Sequence, residues 1–483
     1  MIERIVSDSR RVAPGTAFFA YPGETADGRR HIPEALAHGA SAIVWETEGF
    51  DWDPAWKVPQ VGVRGLKQEA GRLAHAYYGR PSDLLWMCGV TGTNGKTSCT
   101  QWIAEALAEA GTRAGVIGTL GAGVGGDLTE LGNTTPDALE LHRVLSEFRQ
   151  KGAAAVAMEV SSHGLVQGRV NAVSFDCALF TNLTHDHLDY HGSMEAYAAA
   201  KLRLFKFASL TDAVLNLDDV IGVQIARRVA EGHAGTRPRT IGYSLSPAGI
   251  APGSVDDFLA ARDIQVGAEC TTAVLVSSWG ERRLSLRQLG RFNLANVLGV
   301  LGCLMAYGLD LDKALASIKG LRDVPGRMQR LGGAGRPLVV IDYAHTPDAL
   351  EKVLHALRPV AEASGGRLLA VFGAGGDRDV LKRPQMGEIA SRLADRVVLT
   401  SDNPRSEDPR AIIEAVRAGV IAEHAVEPDR AAAITSAILG AQSGDVILVA
   451  GKGHETYQEI GGRRLPFSDF AVANKALAAW GRA

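Results

Sequence analysis

The sequence is poor in cysteine and contains no long uninterrupted apolar run. Its five cysteines are widely spaced and form no CxxC pair, which disfavours a disulfide framework or a zinc site and suits a reducing compartment. The N-terminal segment MIERIVSDSRRV lacks the apolar stretch of a signal peptide. The most apolar helical segment, 293–311, is interrupted by Gly299, Gly302 and Gly308, so it favours a buried core helix over a membrane span. We therefore expect a cytoplasmic protein without membrane insertion.

An excess of charge of one sign is absent as well. The formal net charge of -3 provides no basic surface for nucleic acid or for an anionic membrane. With 483 residues the chain exceeds a single hydrophobic core, because such cores stop growing near about 250–300 residues. We expect two to four domains. Nothing marks a large apolar interface, so a monomer is the expected state.

The pattern of apolar residues predicts an α/β protein with three units. Residues 1–82 look like a small α/β domain, and a Gly/Pro linker at 78–83 precedes a new strand. Residues 83–325 alternate short apolar strands and helices, as in a mostly parallel sheet, and 261–290 suggest an antiparallel excursion. Residues 326–483 repeat the strand and helix pattern as a Rossmann-like domain.

Polar loops follow the predicted strands of the third unit. Thr346 and Pro347 predict a helix start, and Pro359 is expected to stop that helix. The strands ending near Phe372, Thr400 and Ala450 each run into loops rich in Gly, Asp, Asn or Arg. Ligands bind beyond the carboxyl ends of such strands, so we expect chemistry in these loops.

A phosphate-binding loop is predicted where the first strand of the middle unit meets a helix. In Val90-Thr-Gly-Thr-Asn-Gly-Lys-Thr97, backbone N–H groups would cradle phosphate oxygens, Lys96 would neutralise the β- and γ-phosphates, and the Thr97 hydroxyl would bind Mg²⁺. The strict GxxxxGK[ST] pattern fails, because Val90 stands where it requires glycine. A plain glycine-rich turn is the alternative. The loop alone does not separate a ligase from a kinase or a GTPase switch.

Further segments decide between these classes, and their order and spacing matter more than any one of them. They are Glu159-Val-Ser-Ser-His163, Thr181-Asn-Leu-Thr-His-Asp-His-Leu-Asp-Tyr-His191, Tyr197-Ala-Ala-Ala-Lys201, Asn293-Leu-Ala-Asn296, Gly326-Arg327 and Asp342-Tyr-Ala-His-Thr-Pro347. Together with the GTNGKT loop they resemble the Mur ligase family over essentially the whole chain. Asp8-Ser-Arg10, Ala26-Asp-Gly-Arg-Arg30 and Asp402-Asn-Pro-Arg405 are similar to the branch that adds meso-2,6-diaminopimelate to UDP-N-acetylmuramoyl-L-alanyl-D-glutamate.

The resemblance implies a catalytic centre around the loop. ATP would phosphorylate the acceptor carboxylate to an acyl phosphate, releasing ADP. An amine would then displace phosphate to give the UDP-linked tripeptide of peptidoglycan precursor synthesis. Because carboxylate and triphosphate are both anionic, cations must hold the charge. The implied catalytic residues are Lys96, Glu159, His187 and Lys201.

The implied metal ligands are Thr97, Glu159, His187 and a carbamate on Lys201. Glu159 is expected to be shared between two Mg²⁺ ions. Lys201 by default would be a solvated lysine; the resemblance implies that CO₂ carbamylates it, which burial promotes by lowering the lysine pKa. The implied nucleotide contacts are Gly92, Thr93, Asn94, Gly95, Lys96, Thr97, Ser98, Asn296, Arg327, Asp342 and His345.

The nucleotide-sugar substrate is expected to contact the first two units. The positions that match the uridine diphosphate site are Ser7, Ser9, Glu24, Thr25 and Ala26. Those that match muramoyl-peptide contacts are Asn133, Thr134, Thr135, Ser161, Gln167 and Arg169. Hydroxyls, amides and an arginine suit a peptide carboxylate and its amides. Asn133 to Pro136 remain open to the alternative of a turn and helix cap.

The amino-acid substrate is expected to contact the third unit. meso-Diaminopimelate carries a carboxylate and an amine at its far end, whereas lysine carries only the amine there. Arg378 and Arg405 supply donors for the carboxylate, and Glu455 with the Gly451 carbonyl supplies acceptors for the ammonium. The full implied set is Arg378, Asp402, Asn403, Pro404, Arg405, Gly451 and Glu455. Because lysine-adding relatives depart from arginine at position 405, diaminopimelate is the expected substrate.

Two alternatives remain at this point. Another ligase of the superfamily, such as folylpolyglutamate synthetase or the D-alanyl-D-alanine-adding enzyme, would share the loop but not the uridine-site match or the Asp402–Arg405 motif. A nucleotide-dependent switch would need the loop without Glu159, His187 and Lys201. Phosphate release that depends on both substrates would separate these classes.

Overall fold

The computed structural model describes residues 2–24, 26–232 and 237–481. The predicted uridine contact Thr25 lies outside these residues. In the described part of the chain the strands form a four-stranded, a ten-stranded and a six-stranded sheet and one two-stranded hairpin. The sheets are mostly parallel with helices against them, which confirms the predicted α/β class. The boundaries proposed at residues 82 and 325 stay predictions.

The N-terminal sheet contains four parallel strands in sequential order. Its strands and helices are β1 (Arg4–Val6), β2 (Thr16–Ala20), α1 (Ile32–Ala37), β3 (Ala42–Glu46), β4 (Gln60–Val63) and α2 (Leu66–Tyr77). β2 is buried along its whole length, so apolar side chains pack on both of its faces. A carboxylate of Glu46 accepts the backbone N–H of Leu66 at 2.7 Å and so joins the end of β3 to the start of α2.

The central sheet has the order β14-β13-β12-β11-β10-β9-β5-β8-β6-β7. Its strands are β5 (Trp86–Thr91), β6 (Ala114–Gly118), β7 (Gly121–Val124), β8 (Ala155–Glu159), β9 (Cys177–Phe180), β10 (Asp212–Asn216), β11 (Arg239–Ser244), β12 (Asp257–Val266), β13 (Thr271–Ser277) and β14 (Gly280–Leu286). The helices of this region are α3 (Lys96–Glu109), α4 (Ala138–Gln150), α5 (Ser162–Val166), α6 (Leu188–His191), α7 (Met194–Leu202), α8 (Val220–Ala230), α9 (Arg291–Tyr307) and α10 (Leu311–Ile318). β12, β13 and β14 pair antiparallel, which confirms the predicted excursion. β5 lies between β8 and β9, so three strand ends meet beside the phosphate loop.

The apolar helix α9 packs on the central sheet, as predicted. Gly299 allows this approach, since a Cβ there would lie 3.0 Å from Leu179 and 3.2 Å from the Tyr243 ring. Among the described residues, no helix combines the length and apolarity needed to cross a membrane. α9 therefore belongs to the core beneath the phosphate loop.

Three cysteine thiols meet between the central sheet and α9. The sulfur of Cys303 lies 3.8 Å from that of Cys88 and 3.9 Å from that of Cys177. All five cysteines lie within the described residues, and all five are free. The surroundings of the three thiols are apolar, so thiolates there would place charge in a core without compensation. We interpret the cluster as core packing.

The C-terminal sheet has the order β15-β16-β20-β17-β18-β19, parallel except at the β15 edge. Its strands are β15 (Gln329–Gly332), β16 (Leu338–Asp342), β17 (Leu368–Phe372), β18 (Arg396–Leu399), β19 (His424–Val426) and β20 (Val446–Ala450), and the hairpin is β21 (Tyr457–Ile460) with β22 (Arg463–Pro466). The helices are α11 (Pro347–Ala363), α12 (Lys382–Leu393), α13 (Pro409–Arg417), α14 (Arg430–Leu439) and α15 (Asp469–Ala479). The loops after β16, β17, β18 and β20 therefore open at one edge of the sheet.

The prediction that Pro359 stops helix α11 is wrong. Thr346 caps the helix through its hydroxyl, as predicted, but the helix continues past Pro359 to Ala363. Proline removes one backbone hydrogen bond and crowds the preceding turn. Leu357, Val360 and Ala361 are fully buried on either side of it. The packing of this apolar face outweighs the local preference.

Candidate functional site

The phosphate loop takes a conformation that requires its glycines. Gly92 has φ 150° and Gly95 has φ 88°, at the start of α3. A Cβ on Gly92 would lie 1.9 Å from the Thr181 hydroxyl, and one on Gly95 would lie 2.6 Å from the Asn296 side-chain oxygen. The Thr181 hydroxyl also donates to the Asn94 carbonyl at 2.6 Å. The loop is therefore held against β9 and α9 with its backbone in a fixed shape.

Lys96 folds back into this loop. Its Nζ donates to the carbonyls of Gly92 and Thr93, both at 2.8 Å. Burial lowers the pKa of Lys96, and the carboxylate of Glu159 acts in the opposite direction. The ammonium is thus placed where phosphate oxygens would approach a glycine-rich turn.

Glu159 brings a buried carboxylate to the same place. It ends β8 and is 1 % exposed. Its two carboxylate oxygens accept the backbone N–H of Thr119 at 2.8 Å and the Thr119 hydroxyl at 3.2 Å. Carboxylate and hydroxyl oxygens are the donors that Mg²⁺ prefers, so Glu159 and the buried Thr97 fit such an ion.

Lys201 is buried, not solvated. It is 1 % exposed, its Nζ donates to the Gly92 carbonyl at 2.8 Å, and it lies 4.4 Å from the centre of the Tyr197 ring. Lys96 shares that carbonyl. Burial, followed by repulsion from Lys96, holds the pKa of Lys201 well below its usual range. The surroundings therefore favour the neutral amine that can react with CO₂.

His187 lies near these groups on a strained backbone. It has φ 53° at the start of α6, and its Nε2 is 3.5 Å from a carboxylate oxygen of Asp186. Its ring lies 5.0 Å from that of His163. Burial lowers the pKa of His187 against the opposing effect of Asp186, and a neutral imidazole is the form that binds metals.

Two groups of the C-terminal region reach the phosphate loop. Arg327 stacks its guanidinium 4.6 Å above the Tyr343 ring, and its Nη2 lies 3.4 Å from the Thr97 hydroxyl. The amide of Asn94 donates to the carboxylate of Asp348 at 3.4 Å. The central and C-terminal regions therefore meet at the loop.

The remaining predicted nucleotide contacts include Asp342 and His345, which are bonded to backbone groups of the protein itself. The carboxylate of Asp342 accepts the N–H groups of Met328 and Ala344 at 2.7 and 2.8 Å. Burial raises the pKa of Asp342, while Arg327 opposes this effect. His345 is exposed with its Nδ1 2.9 Å from the Tyr343 carbonyl, and Ser98 is buried in α3.

The predicted uridine contacts differ in their surroundings. The hydroxyl of the buried Ser9 donates to Glu34 at 2.7 Å, and Ser7 is half-buried. Glu24 is exposed and pairs with Lys67, and Ala26 is exposed. Ser9 is therefore already hydrogen-bonded within the N-terminal region.

The predicted peptide contacts form one hydrogen-bonded group beside Glu159. The Thr135 hydroxyl donates to the Glu159 carbonyl at 2.9 Å and lies 3.0 Å from the Ser161 hydroxyl oxygen. Arg169 donates to the Thr135 carbonyl and to the Gln167 side chain, both at 2.8 Å. The Thr134 hydroxyl is bonded to that of Thr119, and Asn133 is exposed. Burial lowers the pKa of Arg169, so an anion beside it would relieve a desolvated charge.

The predicted amino-acid contacts meet beyond the ends of β17, β18 and β20. Arg405 has φ 52°, its Nη1 donates to the Gly376 carbonyl at 2.6 Å, and its Nε lies 3.7 Å from a carboxylate oxygen of Glu459. Arg378 is exposed, and a Cβ on Gly375 would contact both arginines, at 3.0 Å for Arg405 and 3.7 Å for Arg378. The two arginines thus flank the loop after β17.

The loop after β20 contacts the loop after β18. A carboxylate oxygen of Glu455 accepts the Asn403 amide at 2.8 Å. Gly451 has φ 114°, and a Cβ there would lie 2.3 Å from the Asp402 carboxylate. A Cβ on Gly376 would lie 2.0 Å from the Pro404 carbonyl. Glycine at 451 therefore leaves room for the Asp402 side chain, and glycine at 376, in the loop after β17, allows the close approach of the Pro404 backbone.

Several residues at these sites were missed by the sequence analysis. They are Thr119, Tyr197, Tyr343, Lys452 and Glu459. Thr119 and Glu459 reach Glu159 and Arg405 from other parts of the chain, so no local spacing predicts these contacts. Tyr197, Tyr343 and Lys452 each had a usable signal, because they lie within segments already singled out.

Comparison with known families identifies the class of protein. Family models match at residues 1–78, described as the catalytic domain of the Mur ligase family, at 90–304, the Mur ligase middle domain, and at 326–453, the Mur ligase glutamate ligase domain. The chain belongs to the Mur ligase family.

Full-length relatives share one name. The chain is 51 % identical over 483 residues, covering 100 % of it and 95 % of the relative, to the UDP-N-acetylmuramoyl-L-alanyl-D-glutamate–2,6-diaminopimelate ligase of Chromobacterium violaceum. It is 50 % identical to the ligase of that name from Pseudomonas aeruginosa, covering 99 % and 96 % of the two chains. A solved structure with the same name superposes with a TM-score of 0.71 at 38 % identity, covering 99 % and 94 % of the two chains.

Proposed function

We propose that this chain is an ATP-dependent ligase that joins meso-2,6-diaminopimelate to UDP-N-acetylmuramoyl-L-alanyl-D-glutamate, giving a UDP-linked tripeptide for peptidoglycan synthesis. The observation that carries the proposal is the full-length similarity to ligases of that name. Arg405, where lysine-adding relatives are expected to depart from arginine, lies in the same group of loops as Glu455.

The first half of the reaction takes place at the phosphate loop. A carboxylate of the dipeptide attacks the γ-phosphorus of ATP, the bond to the β-phosphate oxygen breaks, and ADP leaves. Lys96 and Arg327 bring positive charge to the phosphates, while the loop and helix α3 offer backbone N–H groups. Asn296, Asp342 and His345 complete the proposed nucleotide contacts.

Thr97, Glu159 and His187 would hold Mg²⁺. When bound, this ion neutralises charge on the β- and γ-phosphates. The buried oxygens of Glu159 and Thr97 and the neutral imidazole of His187 suit it chemically. Glu159 in addition fixes the Thr119 backbone, so its position does not depend on the metal.

Lys201 would carry the carbamate. The Nζ atoms of Lys96 and Lys201 both donate to the Gly92 carbonyl in the unmodified chain, and the burial of Lys201 favours its neutral form. Carbamylation would convert this neutral amine into an anion beside Lys96. Carbamylated Lys201 would thus contribute negative charge near the second Mg²⁺.

The second half of the reaction joins the amine. The amine nitrogen attacks the acyl carbon, the bond to the phosphate oxygen breaks, and phosphate leaves. Arg405 and Arg378 would bind the far carboxylate of diaminopimelate, and Glu455 with Gly451 its far ammonium. L-Lysine would leave Arg405 without its carboxylate, and a site with unpaired polar groups rejects such an analogue.

The dipeptide substrate is proposed to lie between the N-terminal and central regions. Its uridine end would contact Ser7, Ser9 and residues 24–26, and its peptide would contact the group around Thr135 and Arg169. A monomer is the proposed state.

A phosphate-release assay tests the proposal directly. Release should require ATP, Mg²⁺, the UDP-linked dipeptide and meso-diaminopimelate together, with the tripeptide confirmed by mass. Substitution of L-lysine for diaminopimelate should give almost no product. Equal use of L-lysine would contradict diaminopimelate as the substrate. Phosphate release without the UDP-linked dipeptide would contradict the proposed ligase activity.

A further inference from the structure

Lys452 is a fully buried lysine beside the proposed amino-acid pocket. It follows β20 and has 0 % exposure. Its Nζ donates to the side-chain oxygen of Asn403 and to a carboxylate oxygen of Glu455, both at 2.9 Å. Its ammonium also lies 5.6 Å from the centre of the Tyr457 ring. A buried lysine is costly unless it is paired and hydrogen-bonded, so this one is held by its partners.

The three side chains close a triangle. The amide nitrogen of Asn403 donates to the same Glu455 oxygen, Oε2, at 2.8 Å. The orientation of the Asn403 amide is therefore determined, since its oxygen accepts from Lys452 and from the backbone N–H of Glu459 at 2.9 Å. Both bonds to Glu455 use Oε2, which leaves Oε1 available for an ammonium.

The triangle joins two loops whose strands are not neighbours. Asn403 and Arg405 follow β18, and Glu455 follows β20, while β17 lies between these strands. Neighbouring strands are about 4.8 Å apart, so the two loops are separated by roughly 10 Å at their origins. Lys452 reaches from one loop to the other over the end of β17.

We propose that Lys452 is a positioning residue that sets the separation between the carboxylate-binding Arg405 and the ammonium-binding Glu455. The inference rests on the proposed function, and it deepens that function by naming what aligns the two binding groups. A substrate with a carboxylate and an ammonium at its far end binds more tightly when the two binding groups are aligned in this way. A substrate with only the ammonium does not.

The test replaces Lys452 by methionine, which keeps most of the length and removes the charge and the donors. Glu455 retains 16 % side-chain exposure, so water can reach its carboxylate in the variant. The KM for diaminopimelate should rise about tenfold or more, because bonds to a charged group are lost. The KM for ATP and for the UDP-linked dipeptide should change less than about twofold, and the preference for diaminopimelate over L-lysine should fall.

Two further variants separate positioning from folding. Lys475→Met removes an exposed lysine from α15 of the same region and should leave every constant unchanged. Lys452→Gln keeps an amide donor without the charge and should give an intermediate KM for diaminopimelate. Thermal melting checks that each variant folds.

The outcomes distinguish this proposal from the proposed function. If the wild type does not use diaminopimelate, the proposed function fails first. If the wild type does so and Lys452→Met keeps its KM, the positioning role is wrong. A parallel rise in the KM for ATP, or loss of folding in both Lys452 variants, would also overturn it, because Lys452 would then be purely structural.

Discussion

The phosphate site and the amino-acid site are built in different ways. At the phosphate site, a contiguous loop supplies the backbone N–H groups and Lys96, and its glycines, Gly92 and Gly95, pack against neighbouring elements with no room for a Cβ. At the amino-acid site, Arg405 and Glu455 come from loops after separate strands and are held by other side chains. We infer that phosphate binding depends on a rigid backbone loop, whereas the choice of amine depends on a network of side chains.

The largest effect is expected at the phosphate site, from Glu159→Gln. The substitution keeps the shape and the contact with Thr119 but removes the negative charge. Turnover should fall by about 10²- to 10³-fold, as when one electrostatic group of a catalytic site is lost. The measurement is the rate of phosphate release at saturating substrates. Glu109→Gln, on the exposed face of α3, is the matched control and should leave the rate of phosphate release unchanged.

Lys201→Ala should be the next most damaging change. It removes the proposed carbamate, and turnover should fall by about 10²-fold because an anion near the second metal is lost. Added short-chain carboxylates should restore part of the rate. Lys206→Ala, an exposed lysine nearby, should behave as wild type. Full activity of Lys201→Ala without added carboxylate would show that the carbamate role is wrong.

Arg405→Ala should affect the amino-acid site without affecting ATP. The KM for diaminopimelate should rise roughly 10- to 100-fold, since charge-assisted hydrogen bonds to its carboxylate are lost. The KM for ATP should stay the same in the same initial-rate assay. Arg410→Ala, on an exposed position of α13, serves as the control. A common loss of affinity for both substrates would contradict the separation of the two sites.

Arg378→Ala should produce the smallest effect of the series. Arg405 is held by the Gly376 carbonyl, whereas Arg378 is exposed. Water therefore screens the interaction of Arg378 with the substrate carboxylate. We expect a rise of about two- to fivefold in the KM for diaminopimelate. An effect as large as that of Arg405→Ala would mean that closure around the substrate buries Arg378 equally.

The fold was predictable where local rules agree. The strand and helix around the phosphate loop, the cap at Thr346 and the antiparallel strands near residue 270 follow from apolar spacing and from turn and cap residues. Pro359 shows the limit of these rules. A helix-breaking residue is tolerated because the residues around it are buried against a sheet made of distant strands.

The candidate site also has one part that could be predicted from the sequence and one part that could not. The resemblance to a family selected most of the residues, including Glu159, Lys201 and Arg405. It did not indicate that Lys96 and Lys201 share one carbonyl or that Thr119 holds Glu159. Lys452 lay inside a selected segment but was passed over, because a lysine between glycines has no local feature that predicts complete burial.

The sequence by itself determined the α/β class, the phosphate loop and the segments from which the sites are built. Backbone conformation, capping and apolar periodicity act over a few residues, so they can be recognised in order along the chain. Only the tertiary structure decided which charged groups are buried and which share partners, as with Lys201 at Gly92 and Lys452 at Glu455. Desolvation and charge pairing depend on distances through space, and strands far apart in the chain set those distances.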